Sequence, residues 1–146
     1  MKKITPYLWF DTQAEEAMNY YVSIFKNSKV LSSNPQSVNF ILDGQEFIGL
    51  NAGPQHKFNE AVSFFVQCEN QTEVDYYWNK LIADGGEEGP CGWCKDKFGL
   101  WWQVIPNQLG ELMGDPNPEK AQRVVQAMLK MQKIIVADLQ RAHAGK

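Results

Sequence analysis

The sequence predicts an α+β chain built from two tandem βαβββ modules that form a curved mixed sheet around a cleft, with helices added at the C-terminus. Three observations predict it. Two helical segments, 13–26 and 71–83, each follow an aromatic and β-branched strand-like run. The chain repeats itself: a shift of 57 residues places Glu16 on Glu73, Tyr20 on Tyr77 and Ile24 on Leu81. Short strand-like runs separated by turn residues follow each helix, too closely spaced for a parallel α/β sheet.

The first strand is expected over 4–10 (ITPYLWF). Pro6 has no N–H for the ladder, so this strand belongs at an edge. In the first helix Ala14, Ala17, Met18, Tyr21, Val22 and Phe25 share one apolar face. Thr12 is its expected N-cap, with Glu15 completing a capping box. Strands follow near 28–33, 37–43 and 46–52, the last two joined at Asp43-Gly44, residues suited to the positive φ angles of a type I′ hairpin. The second module repeats the order with a strand over 61–68, a helix bearing Val74, Tyr77, Trp78 and Leu81 on one face, a connection over 85–90, and strands near 91–95 and 100–105. A single domain over 1–146 is expected, with modules of about 1–55 and 56–110 and a helical tail over 111–146. Pro118 suits the first turn of a tail helix over 118–132, and a last helix spans about 136–144. The apolar faces of these helices are expected to close the cleft or to pack on a second subunit.

At 146 residues a domain buries roughly 68–70% of its unfolded surface, enough for a core without disulfides or metals. The net charge of -3 argues against a nucleic-acid surface or an anionic membrane surface, either of which needs clustered Lys and Arg. The many aromatic residues lack the basic groove of a base-stacking platform. No apolar run reaches the roughly 20 residues of a membrane span. The N-terminal residues show no signal-peptide pattern, so a cytoplasmic location is expected. Three cysteines do not make a disulfide framework.

The runs ITPYLWFDTQAEEAMNYYVSIF, NAGPQHKFNEAVSFFV, CGWCKDKFGLWWQVIP and DPNPEKAQRV resemble the PhnB-like branch of the vicinal-oxygen-chelate (glyoxalase / bleomycin resistance / dioxygenase) superfamily. The resemblance extends over essentially the whole chain. Many members of the branch carry the name 3-demethylubiquinone-9 3-methyltransferase. It implies the paired βαβββ fold and often a homodimer. It also implies four inward-facing positions that hold His or Glu ligands in metal-dependent members, and these map to Pro6, Gly49, Ser63 and Gln103. Proline and glycine have no donor side chain, and one neutral amide does not hold a divalent ion against water. No metal and no cofactor are therefore expected. A nucleotide-binding methyltransferase would need a glycine-rich turn after its first strand, whereas Gly85-Gly86 follows a helix. Methyl transfer from S-adenosylmethionine by that route is not expected.

With Gln103 facing inward, strand alternation predicts a cleft lined by Leu8, Phe10, Phe47, Asn51, Phe65, Gln67, Trp101 and Gln103. Trp9, Ile48, Leu50, Phe64, Val66, Trp102 and Val104 should then meet the helices. Such a cleft suits a small hydrophobic or aromatic ligand, and filled core is the competing reading. His56, in the loop joining the modules, is the one candidate for acid–base chemistry. The pair Cys91 and Cys94 is expected within a strand, where residues three apart point to opposite faces, so it is read as structural. The leading expectation is a metal-free small-molecule-binding protein. The alternative is a superfamily lyase, isomerase or transferase with a displaced metal site or a His56-based site. A third is an assembly protein acting through its tail.

Overall fold

A computed structural model describes residues 3–146. The chain divides into two compact units, Met1–Phe58 and Asn59–Lys146.

The first unit runs β1 (Tyr7–Phe10), α1 (Ala14–Ile24), β2 (Lys29–Ser33), β3 (Ser37–Leu42) and β4 (Gln45–Asn51), in the sheet order β1-β4-β3-β2. β1 pairs with β4 in parallel, while β4 pairs with β3 and β3 with β2 antiparallel. As Pro6 requires, β1 lies at an edge, and the Pro6 carbonyl still accepts from the Ile48 N–H. The β3–β4 hairpin turns on Asp43 (φ 47°) and Gly44 (φ 80°), the two positive φ angles that its sequence favours. One face of the sheet carries Val38, Phe40 and Phe47, all buried, and packs on α1. The Tyr21 ring stacks on Phe40, and Phe40 on Phe47. At Gly49 the sheet comes so close to the helix that an added Cβ would lie 3.5 Å from the Ala14 Cβ and 3.0 Å from Val38.

Thr12 is not the cap of α1. Gln13 takes that position without a side-chain cap bond, and the Ala14 N–H instead donates to Asn51 Oδ1 at 2.9 Å. An amide from the end of β4 thus satisfies a helix donor 37 residues away in sequence.

The second unit repeats the topology: β5 (Ser63–Cys68), α2 (Gln71–Ile82), β6 (Glu87–Glu88), β7 (Trp93–Lys95) and β8 (Trp101–Pro106), in the order β5-β8-β7-β6. Asn70 caps α2 by accepting from the Glu73 N–H. The short β6 falls where the sequence indicates only a connection. Its backbone pairs with Lys95 and Cys94, and its Glu88 accepts from the Trp78 indole. The core on the α2 side holds Val74, Trp78, Leu81, Cys94, Trp102 and Val104. Asp96 is buried beside it, fully engaged: it accepts from the Phe98 and Leu100 N–H groups and from the Trp102 indole.

Three helices complete this unit: α3 (Asn107–Met113), which no local sequence signal marks, α4 (Pro118–Met128) and α5 (Val136–His143). Pro118 opens α4 behind an Asn117 cap, as its φ restriction favours. Leu109, Val124, Ile134 and Leu139 form a buried cluster, with Ile105 of β8 packed against it. The tail's apolar faces are therefore covered by one another and by β8. The backbone ties it down further: Cys91 and Gly92 N–H donate to the Met131 and Gln132 carbonyls, and the Gln71 side chain bonds both the Ile134 carbonyl and the Val136 N–H. Lys133 pairs with Asp75 at 2.9 Å, and His143 with Asp115 at 2.7 Å.

Candidate ligand-binding site

Each sheet has one face turned to its helix and one turned away. In the first module Leu8, Phe10 and Phe47 are 6%, 3% and 5% exposed and lie on the helix side, because Phe10 and Ala14 both approach Gly49. Asn51 follows the same alternation and caps α1, while its Nδ2 donates to the Pro35 carbonyl. The face assignment expected for this module is thus reversed. Leu8, Phe10, Phe47 and Asn51 are core and capping residues, and Trp9, Ile48 and Leu50 lie on the side away from α1. The Trp9 indole donates to the Gly53 carbonyl, and the His56 ring packs edge-on against Trp9 at 4.7 Å. His56 stands in an exposed loop with no carboxylate bonded to it among the described residues.

In the second module the helix side holds Phe64, Val66, Trp102 and Val104, and the far face holds Ser63, Phe65, Gln67, Trp101, Gln103 and Ile105. Phe65 is 58% exposed, while Trp101 and Gln103 are half-buried. The strand register puts Phe65, Gln103 and Trp93 in one row across β5, β8 and β7. The next row is Ser63, Trp101 and Lys95. Gln103 Nε2 donates to Ser63 Oγ at 3.0 Å, and the rings of Trp93 and Trp101 meet edge-to-face at 6.5 Å. Gln67 reaches away to Asn107 at 2.7 Å. Trp93 was absent from the expected set; its pairing opposite Gln103 is the signal that identifies it, and this needs the β7–β8 register.

The residues present do not fit a divalent ion. Among the described residues no three His, Cys, Asp or Glu side chains come together at ligating distance. Of the mapped positions, Gly49 lies against α1, Pro6 gives its carbonyl to the ladder, and Ser63 and Gln103 bond each other. Cysteine offers no alternative. Cys91 (φ 56°) lies in the turn before β7, not in a strand, while Cys94 is buried within β7. Burial pushes the Cys68 and Cys94 thiols up to about 12, so neither supplies a thiolate near neutral pH. No described helix is long and apolar enough to cross a membrane.

Comparison with known proteins agrees with the fold. The family model described as 3-demethylubiquinone-9 3-methyltransferase matches residues 2–105. The chain is 32% identical to a Bacillus cereus PhnB protein described by that same activity, covering 72% of this chain and 99% of that one, with a TM-score of 0.64. A Pseudomonas aeruginosa protein shares the fold at 17% identity and a TM-score of 0.59, covering 73% of this chain and 98% of its own. So does a fosfomycin resistance protein from Listeria monocytogenes, solved with Mn(II) and sulfate, at 16% identity and a TM-score of 0.54, covering 70% and 88%. No curated protein matches. α3, α4 and α5 lie beyond the residues that the family model matches. With its two βαβββ sheets and this match over most of its length, the chain belongs to the PhnB-like 3-demethylubiquinone-9 3-methyltransferase family of the vicinal-oxygen-chelate superfamily.

Proposed function

We propose that this protein binds a small aromatic or hydrophobic molecule without a metal ion, on the face of the β5-β8-β7-β6 sheet turned away from α2. The observation that carries this reading is the row Phe65, Gln103 and Trp93, with Trp101 beside it. An apolar, aromatic surface with a few placed polar groups is the composition of small-molecule sites. Core filling would require these side chains to be buried, and Phe65 is not. The mapped ligand positions favour metal independence, since none bears an imidazole or carboxylate. A homodimer in the cytoplasm completes the reading; the family resemblance supports the first, and three free thiols are compatible with the second. His56 packs on an indole rather than on an acid or a nucleophile, which leaves the acid–base alternative without a partner group.

The test is elemental analysis of the purified native protein, paired with a thermal-shift screen of neutral aromatic compounds. The expected result is no stoichiometric divalent metal and a raised Tm with at least one aromatic class. Stoichiometric metal, or no shift with any aromatic compound, overturns the proposal.

A further inference from the structure

We propose that the ligand of this face is a neutral, planar molecule carrying an amide-like donor–acceptor edge, and that the Gln103 side chain reads that edge. The inference rests on the aromatic-binding reading above and adds the polarity and charge of the ligand.

Hydrogen-bond accounting carries it. Three of the five tryptophans spend their indole N–H on protein acceptors: Trp9 on the Gly53 carbonyl, Trp78 on Glu88 and Trp102 on Asp96. Among the described residues Trp93 and Trp101 have no acceptor, and both lie on the face away from α2. Gln103 commits its Nε2 to Ser63 Oγ, which leaves its carbonyl Oε1 and the Ser63 hydroxyl proton available. Half-buried polar groups of this kind bond water in the free protein, so a ligand covering them must offer replacement bonds or lose affinity. A hydrocarbon offers none.

Charge narrows the class further. Phe65, Gln103, Trp93, Ser63 and Trp101 are all uncharged. The ionised side chains in these rows, Lys95 and its β6 neighbour Glu87, pair with each other at 3.3 Å. An anionic ligand would find no unpaired cation here, and a cationic one no unpaired carboxylate, so a charged group would be desolvated without compensation. The flanking rings of Phe65, Trp93 and Trp101 call for a flat partner. A site built to hydrogen-bond its ligand discriminates strongly against an analogue lacking those atoms.

The experiment titrates the full-length protein with three probes of similar size: quinolin-2-one (a neutral lactam), naphthalene and 2-naphthoate. Binding is read by tryptophan quenching and ligand-observed NMR. Quinolin-2-one is expected to bind about tenfold more tightly than naphthalene, the effect of one or two net hydrogen bonds, and 2-naphthoate more weakly than either. In Gln103→Met the preference for the lactam is expected to collapse while naphthalene binding persists. Trp93→Phe keeps an aromatic ring but removes the indole N–H, and serves if Gln103→Met melts early; it should weaken the lactam severalfold more than it weakens naphthalene. Equal binding of lactam and naphthalene, tighter binding of the carboxylate, or a lactam preference that survives Gln103→Met overturns this inference and leaves the aromatic-binding reading standing. Failure of all three probes to bind removes both.

Discussion

The two modules share one topology and differ by one residue in the connection that matters most. β1 ends at Phe10 and α1 starts at Ala14, whereas β5 ends at Cys68 and α2 starts at Gln71. The helices align at a shift of 57 residues, and the strand ends at 58. The helices keep the shift of 57 and with it their faces, whereas a one-residue offset reverses a strand, because side chains alternate with period two. Hence Phe10 points at α1, while Gln67, its partner at a shift of 57, points away from α2. The longer connection also changes how the helix is capped. α2 is capped locally by Asn70, but α1 has no side-chain cap of its own and borrows Asn51 from the neighbouring strand. A repeat found in sequence therefore transfers element order from one copy to the other, but not the facing of individual side chains.

A second contrast lies in support. Within its own unit the first module is covered by α1 alone, whereas the second also carries α3, α4 and α5. The sharpest way to break this contrast is to end the chain at Asp115. The truncation removes Val124, Ile134 and Leu139 from the cluster on Ile105, at about 2 kcal/mol each, and leaves the Cys91 and Gly92 N–H groups without their carbonyl acceptors. Amide exchange should then lose protection in β7 and β8 while β3 and β4 keep theirs. Equal loss in both sheets would show that support is shared.

Glycine substitutions give the next largest effect. At Gly92 (φ 86°) a Cβ would lie 2.6 Å from Ile105 Cδ1, so Gly92→Ala combines a left-handed backbone with a clash in the tail contact. A loss of about 3 kcal/mol is expected. Gly49→Ala meets Val38 Cγ2 at 3.0 Å without a positive φ, and should cost about 1 kcal/mol. Urea denaturation compares the two, and the reverse order would refute this account of the tail contact.

The capping contrast predicts smaller differences. Asn70→Ala should cost about 1 kcal/mol, the usual value for a local cap. Asn51→Ala should cost about 2 kcal/mol, because it also strips the Pro35 carbonyl of its donor. Equal losses would mean that the longer connection of the first module satisfies α1 by other means.

The smallest effect is acid sensitivity confined to the second unit. Hydrogen bonds from Lys133 and Gln71 hold the Asp75 carboxyl below its ordinary value, and bonds from the Asn117 N–H and His143 do the same for Asp115. A lowered folded value means that the stabilisation is complete above the ordinary aspartate pKa of about 3.9 and is lost as pH falls through the lowered values. Both groups are well solvated, so a shallow effect is expected. The Tm of the wild type should fall more between pH 5 and pH 2 than that of the Asp75→Asn, Asp115→Asn double variant, and parallel curves would assign acid sensitivity elsewhere.

Much of the fold was legible because its signals are local. The apolar face of Ala14, Ala17, Met18 and Tyr21, the φ demands of Asp43-Gly44, the edge placement of a strand after Pro6 and the helix start at Pro118 depend on residues close in sequence. The missed elements depend on partners. β6 is two acidic residues that become a strand only through β7, and α3 is a short helix without a capping side chain whose Leu109 is buried by the tail.

The candidate site divides along the same line. By itself the sequence determined the repeat of a strand, a helix and further short strands, the family and the lack of imidazole or carboxylate at the mapped ligand positions, because each follows from residue type and spacing. Tertiary structure decided that Phe10 and Phe47 are core while Phe65 is exposed, that Asn51 caps a helix, and that Trp93 stands beside Gln103. The physical reason is that composition and local periodicity survive an error of one residue in register, whereas the facing of a strand side chain and the identity of its cross-strand neighbour do not.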